Sequence, residues 1–302
     1  MLKNLNPTPS YCCVLVLYKP APNIELRIKQ YALLFPFLCV VDNSPQSVIE
    51  DSFKSSFSEK KVLFIQNYNF GGIARALNIG AKEAMKQNFS WLMTLDQDSE
   101  LTDEVLKTMW EVWRNNGQEK IAMIAPYLKL KTDFVPNDIP SYEFPLTVMT
   151  SGTILNMEAY QKVGPFDEKL VIDYVDHEYC LRLHIRGYKI IKANKAILNH
   201  ELGSGVSHNL LGRKLLSTNH SALRRYYITR NRLYTAFRYK KYFPKFFWHE
   251  IRLTCSDFII IVLYEENKWL KTKMIFRGIK DFCYGKTGAN HESCGAGHHN
   301  IL

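Results

Sequence analysis

Between residues 12 and 125 the chain repeats one device: a short apolar run with no polar alternation, then polar turns or a stretch with helical spacing. The runs are Cys12–Tyr18, Leu38–Asp42, Lys61–Gln66, Trp91–Leu95 and Ile121–Ala125. Helical spacing falls at Asn23–Leu34, Gly72–Lys86 and Leu101–Trp113. A strand that is apolar on both faces has to be covered on both faces, which is the habit of parallel strands joined by helices. The pattern therefore predicts an α/β chain with a mainly parallel sheet flanked by helices. Ligands of such sheets bind beyond the carboxyl ends of the strands. Downstream, Lys129–Pro145 reads as a loop, Thr147–Asn156 as strand-like, Asp176–Arg186 as a helix stopped at Gly187, and Lys189–Leu198 as a strand. His200–Arg213, with three Gly and two Ser, reads as flexible.

Charge divides the chain differently. Residues 1–200 carry 22 Lys and Arg against 22 Asp and Glu, whereas residues 201–302 carry 17 against 7. The whole excess of +10 lies in the last third, which should face something anionic. Two helical stretches occupy it, about Asn219–Lys241 and Phe246–Phe282, with aromatic and apolar residues flanked by cations. That pattern suits the plane of an anionic membrane interface, or docking onto the catalytic domain or onto another subunit of a homo-oligomer. The expected domains are a catalytic domain over 1–204, a basic amphipathic helical extension over 205–284, and a disordered tail over 285–302. Apolar runs such as Phe258–Tyr264 are too short to span a bilayer. The polar start, Met1–Ser10, has no apolar signal region, so a cytoplasmic location is expected. Seven Cys with no Cys-x-x-Cys pair read as buried free thiols.

The residues that could carry chemistry gather after the runs. Asp96-Gln97-Asp98-Ser99 directly follows Trp91–Leu95. Two carboxylates at i and i+2 beyond a strand can share one divalent cation, and hard cations such as Mg²⁺ bridge oxygen ligands to phosphates. A solvated turn capping the next helix is the plainer reading of the same residues. Tyr18 offers a ring for stacking, and Asp42 can accept from the ring N–H of a uracil- or thymine-like base. The Gly71-Gly72 turn lets backbone N–H groups approach a phosphate at a helix start, or is simply a turn. Asn78 reads as a cap or a buried amide.

In order, Tyr18-Lys19, Asp42-Asn43-Ser44, the stretch Asn67-x-Asn69-x-Gly71-Gly72-x-Ala74-Arg75-Ala76-x-Asn78-x-Gly80, and Asp96-Gln97-Asp98-Ser99 resemble the inverting family-2 glycosyltransferases of GT-A fold. With Ser151-Gly152 and Asp173-x-x-Asp176-x-Glu178-Tyr179-Cys180-Leu181-Arg182, the pattern is most similar to bacterial rhamnosyltransferases. The resemblance covers about residues 11–240. It implies a nucleotide-sugar donor contacted by Tyr18, Asp42, Asn69, Gly71, Gly72, Arg75, Asn78, Asp96, Gln97, Ser151, Gly152, Glu178 and Arg182. It implies Mg²⁺ or Mn²⁺ on Asp96 and Asp98, with His200 as a later ligand. It also implies an acceptor such as a lipid-linked saccharide, at the inner face of the cell membrane, in cell-surface polysaccharide synthesis.

Inverting transfer needs a carboxylate distinct from the metal pair to take the acceptor's proton. Asp173, Asp176 and Glu178 qualify by residue type. The resemblance selects Asp176, six residues before Arg182, with Glu178 second. Arg230 lies on the apolar line of its helix, as a bidentate contact to a diphosphate or as an arginine packed on tyrosines. The donor reading is L-rhamnose from dTDP-rhamnose, with a UDP-hexose or UDP-galactofuranose as alternatives. A nucleotidyltransferase would need a Gly-rich basic loop after the first strand, where Leu17–Asn23 is Pro-rich. A nucleic-acid-binding module built on the basic third is the alternative of another class, ranked below a membrane partner.

Overall fold

A computed structural model describes residues 9–289 except 48, 59, 118, 130–137, 201–205 and 211–212. In chain order the first elements are β1 (Tyr11–Leu17), α1 (Ile24–Leu34), β2 (Leu38–Asp42), α2 (Asp51–Lys54), β3 (Val62–Gln66), α3 (Gly72–Lys86) and β4 (Trp91–Asp96). Then come β5 (Ser99–Glu100), α4 (Asp103–Asn115), β6 (Ile121–Lys129), β7 (Tyr142–Glu143), β8 (Thr153–Asn156) and α5 (Met157–Val163). The remainder is α6 (Val175–Ile185), β9 (Lys189–His200), β10 (Val206–Leu210), β11 (Arg213–Ser217), α7 (Ala222–Tyr239), α8 (Pro244–Tyr264) and α9 (Lys268–Cys283).

The chain divides into two compact units. One comprises residues 1–167 with 179–201, the other 168–178 with 202–302. The first unit holds the sheet, ordered β3-β2-β1-β4-β8-β6-β9-β5 with β7 against β9. β3, β2, β1 and β4 are all parallel. β8 then enters antiparallel to both β4 and β6, so the second half of the sheet is mixed. The helix-flanked α/β expectation holds, and the parallel rule applies to the four strands that carry the polar ends. The core beneath them joins Cys13, Leu15, Val40, Met93 and Leu95 to Ile28, Val105, Met109 and Trp110 of α1 and α4. On the other face α3 lies so close to β1 that a Cβ on Gly80 would meet Val14 at 2.4 Å.

The second unit is helical, with one antiparallel hairpin: β10 lies in the Gly-rich stretch expected to be flexible, and β11 starts at its last residue, Arg213. Cross-strand pairing needs only backbone N–H and C=O groups, so the glycines and serines did not prevent it. The single long helix expected over Phe246–Phe282 is two, α8 and α9, separated at Asn267, which adopts a left-handed φ of 51°. Of the expected tail, 290–302 lies outside the described residues. Gly288 is bonded through its N–H to the Lys169 carbonyl at 2.7 Å. Cys12, Cys13, Cys39 and Cys180 are buried free thiols, but Cys255 and Cys283 are exposed. Glycine has a second use in α9, where a Cβ on Gly278 would fall 2.8 Å from the Tyr226 carbonyl oxygen and 3.3 Å from the Arg230 nitrogen of α7.

Candidate active site

Register brings the strand ends together in the first unit. Leu17 pairs with Asp42, Asp42 with Gln66, and Val16 with Asp96. Tyr18, Asp42, Asn67 and Asp96 therefore stand along one edge of four parallel strands. Asp42 is 5% exposed, and its Oδ1 accepts the Ser44 N–H at 2.9 Å. Asp96, Gln97 and Asp98 are half-buried in the turn after β4. Gln97 Oε1 accepts the Tyr18 N–H at 2.8 Å, tying that turn to the end of β1. The Gln97 carbonyl thus braces the turn.

Ser99 anchors the turn from behind. Its Oγ lies 2.6 Å from Ser151 Oγ, and its carbonyl accepts from both Arg27 and the Tyr31 hydroxyl. Ser151 is thus a buried support for the turn, which corrects its expected substrate contact. Gly152 is likewise structural. It has φ +72°, and a Cβ there would sit 2.3 Å from a Leu198 methyl. Its N–H bonds the Thr94 carbonyl at 2.8 Å, holding the loop before β8 against β4. Ser99 pairs in backbone register with His200, so that residue lies opposite the position after Asp98. The His200 side chain is outside the described residues.

The β3–α3 loop has a backbone that few sequences adopt. Tyr68, Asn69, Gly71 and Gly72 have φ of 52°, 57°, 62° and 61°. Left-handed residues are costly outside Gly and Asn. Here an amide chain holds them: Asn67 Nδ2 donates to Asn43 Oδ1 at 2.6 Å and to the Phe70 carbonyl at 2.8 Å, and Asn43 Nδ2 donates to Asn69 Oδ1 at 3.1 Å. Tyr68 and Phe70 are exposed beside it, their rings 6.5 Å apart. Arg27 and Tyr31 were missed as site-building residues, and Asn43 and Asn67 were read only as members of their motifs. The repeated Asn in Asn67-Tyr68-Asn69, apt for left-handed turns, was the available signal. Arg75 is exposed in the first turn of α3. Asn78 instead grips Phe166, accepting its N–H at 2.8 Å and donating to its carbonyl at 3.0 Å, with the Tyr160 hydroxyl as a further donor. Asn78 is half-buried, and these bonds give its amide an internal role. Arg182 is also structural: it donates to the Val163 and Pro165 carbonyls past the end of α5 and lies over the Tyr179 ring.

The three candidate bases belong to the second unit and have three different surroundings. Glu178 is fully buried and accepts from the Tyr239 hydroxyl at 2.6 Å, with Arg238 at 3.6 Å. With no exposed surface it can neither bind substrate nor take an acceptor's proton. Asp173 is bonded by Arg224 through Nε and NH2 at 3.4 and 3.2 Å. Burial raises its pKa above the ordinary carboxylate value, more than Arg224 lowers it. Asp176 keeps 18% of its side chain exposed. Its Oδ1 accepts the His177 N–H and meets His177 Nδ1, both at 2.8 Å. Burial alone would raise the Asp176 pKa, but the charge and hydrogen bonds of His177 outweigh it and hold the carboxylate below its usual range. Asp176 is therefore ionised at neutral pH and reachable, the two properties a proton acceptor needs.

Arg230 does not face a diphosphate. It is 2% exposed, donates to Asn231 Oδ1 at 3.0 Å and to the Gly288 carbonyl at 2.7 Å, and lies over the Tyr226 and Tyr227 rings. Its fork is consumed by this chain's own acceptors, which leaves none of the geometry a bidentate anion contact requires.

The chain was compared with known proteins. The family description "Glycosyl transferase family 2" matches residues 23–156. The dTDP-rhamnosyl transferase RfbF of Shigella flexneri is 30% identical over 234 residues, covering 72% of this chain and 77% of that protein. Among solved structures, S. aureus TarS 1-349 in complex with UDP-GlcNAc superposes with a TM-score of 0.62 at 12% identity, over 92% of this chain and 81% of that one. GalNAc-T7 with UDP, GalNAc and Mn2+ gives 0.53 at 12% identity over 74% of this chain, which spans 47% of that longer one. The structural likenesses establish the GT-A fold. Together with the extent of the RfbF match and the family match over the strand ends described above, they lead to one conclusion: the chain belongs to glycosyl transferase family 2 and is a glycosyltransferase.

Proposed function

We propose that the protein is a metal-dependent inverting rhamnosyltransferase, moving L-rhamnose from dTDP-rhamnose to a lipid-linked saccharide during cell-surface polysaccharide synthesis. The observation that carries the mechanism is a division of labour among carboxylates. Asp96 closes β4 and Asp98 follows in the turn, while Asp176 is held ionised beside His177. The donor assignment leans on similarity to a protein described as a dTDP-rhamnosyl transferase.

Among the described residues no group of three or more His, Cys, Asp or Glu could hold a metal by itself. Two carboxylates whose remaining partners are substrate phosphates fit Mg²⁺ or Mn²⁺. Asp96 and Asp98 would hold the ion, His200 joining from its place opposite Ser99, and the ion would offset charge on the departing diphosphate. Asp42 would read the base, and the Gly71-Gly72 turn would receive the donor at the start of α3. Asp176 would take the proton of the acceptor hydroxyl as that oxygen attacks the anomeric carbon from the face opposite the diphosphate.

The acceptor reading draws on α8 and α9. No helix among the described residues is long and apolar enough to cross a membrane. Trp248, Ile259, Val262, Leu263, Trp269, Leu270 and Phe276 are nevertheless exposed. Lys245, Arg252, Lys268, Lys273 and Lys280 stand exposed among them. Such a surface suits an anionic leaflet, where a lipid-linked acceptor would lie. The nucleic-acid alternative loses its main support, because Arg225, Arg230 and Arg232 of α7 are buried.

A thermal-shift panel of nucleotide sugars with Mn²⁺ or Mg²⁺ tests the reading. dTDP-rhamnose should shift the wild type only with metal, and Asp98→Ala should lose the shift. Asp176→Asn should keep it while transfer falls by about two to four orders of magnitude. A metal-dependent shift with UDP-sugars alone would overturn the rhamnosyl donor and favour the UDP alternative.

A further inference from the structure

The segment ahead of Asp176 is held in a conformation that its own residues disfavour. Val171, Asp173 and Tyr174 have left-handed φ of 63°, 57° and 66°. For a β-branched residue such as Val171 this is a genuine outlier, and each such residue costs on the order of 1–3 kcal/mol. Such a backbone persists only where its surroundings over-determine it.

One side chain does most of that. Asn231 of α7 is 1% exposed, and its Nδ2 lies 2.6 Å from the Leu170 carbonyl, 2.7 Å from that of Ile172 and 3.3 Å from that of Asp173. Its Oδ1 accepts from Arg230 Nε at 3.0 Å, which fixes the amide the right way round. Neighbours on α7 complete the grip. Arg224 holds the Asp173 carboxylate, and Arg232 Nε donates to the Tyr174 hydroxyl at 2.6 Å. That hydroxyl in turn bonds Glu250 of α8. The Tyr174 ring then packs on the His177 ring at 4.9 Å, and His177 holds Asp176. Every carbonyl Asn231 grips lies within six residues of Asp176, on the side from which the chain enters α6.

We propose that Asn231 is a positioning residue for the Asp176 carboxylate: it clamps the strained 170–174 segment and thereby sets where α6 begins and where Asp176 presents its oxygens. This rests on the reading of Asp176 as the base. Arg230 is the orienting partner of the clamp. Without the amide, the segment relaxes toward right-handed or extended backbone, and the carboxylate drifts. Misplacement of a reacting group by about 1 Å is enough to cost on the order of a hundredfold in rate.

The test uses the full chain with Asn231→Ser, which leaves one hydroxyl donor, and Asn231→Ala beside it. Two quantities are read: dTDP release from dTDP-rhamnose with Mn²⁺, alongside calorimetric donor affinity, and the NMR titration of the His177 imidazole. The groups facing that imidazole are Asp176, Tyr174, Phe246, Glu250 and Arg232. The clamp predicts turnover on the order of tenfold to a hundredfold lower, with donor affinity within about twofold. It also predicts that the His177 titration moves down toward that of an ordinary histidine, as the carboxylate leaves Nδ1. An unchanged His177 titration in folded Asn231→Ser overturns the clamp. A shifted titration with wild-type turnover upholds the clamp and overturns Asp176 as the base. If Asn231→Ala fails to fold, the serine variant carries both readouts.

Discussion

α7 and the α8–α9 pair have much the same composition, cations interleaved with aromatics, yet they spend them in opposite ways. α7 turns Arg225, Arg230 and Arg232 inward, where they are 5%, 2% and 8% exposed. Each meets an acceptor: Arg225 bonds Glu265, Arg232 bonds Tyr174 and Asp257, and Arg230 bonds backbone carbonyls. α8 and α9 leave Trp248 and Trp269 at 66% and 88% exposure with lysines around them. Arginine's planar fork can be satisfied by several acceptors at once, whereas lysine's ammonium is strongly hydrated. The three buried arginines of α7 follow that rule, whereas Lys271 of α9 is buried only against Glu265 and Asn219, and Arg252 of α8 stays exposed.

The contrast can be broken most severely at Glu265. Its side chain is fully buried and bonds Arg225 and Lys271 together. Glu265→Ala would strand two buried cations and should cost about 3–5 kcal/mol in urea unfolding. A loss near that of a surface substitution would mean that the network is not buried in solution. Arg230→Lys comes next. Lysine cannot supply both the Nε contact to Asn231 and the bonds to Gly288, so stability should fall by about 1–3 kcal/mol. An unchanged melting temperature would mean that these contacts do not hold Arg230, and would reopen the diphosphate contact expected from sequence.

A pH effect is smaller. Burial, then Arg224 and Arg225, push the His220 pKa down to about 4. The unfolded chain therefore takes up this proton near pH 6.5, before the folded one does. Stability from this site is full above that pH and is lost as pH falls toward 4. Denaturation midpoints of His220→Gln should show a flatter slope between pH 4 and 6.5, and an identical slope would refute the assignment. The smallest effect on stability belongs to the exposed pair. Lys268→Glu with Lys273→Glu should change unfolding by less than about 0.5 kcal/mol. The same pair should weaken binding to phosphatidylglycerol vesicles by about 1 kcal/mol per lysine. Equal vesicle binding would remove the membrane role of α8 and α9.

Much of the first unit was legible because its signals are local. An apolar run bounded by polar turns predicted β2 and α3 at their observed bounds, and β1, β3 and β4 within one residue. The antiparallel entry of β8 was not, since a four-residue strand carries no mark of direction. At the site, Asp96, Asp98 and Asp176 remain proposals, while the internal hydrogen bonds of Ser151, Asn78, Arg182, Glu178 and Arg230 were not legible. A polar residue in a motif has the same letter whether it touches a ligand or a distant carbonyl, and the partners of Asn78 and Arg230 are 88 and 58 residues away. Nor does spacing along the chain announce that residues 168–178 belong with a helical unit that otherwise begins at 202.

Gly278 closes a door on drift. With no side chain it lets α9 lie against the Tyr226–Arg230 turn of α7, immediately ahead of the Asn231 amide that grips the 170–174 segment. A single methyl group there cannot be absorbed by a rotating side chain, because what it meets is backbone. A silent-looking alanine, far along the chain from any motif, would therefore push α9 away from the helix that carries Asn231.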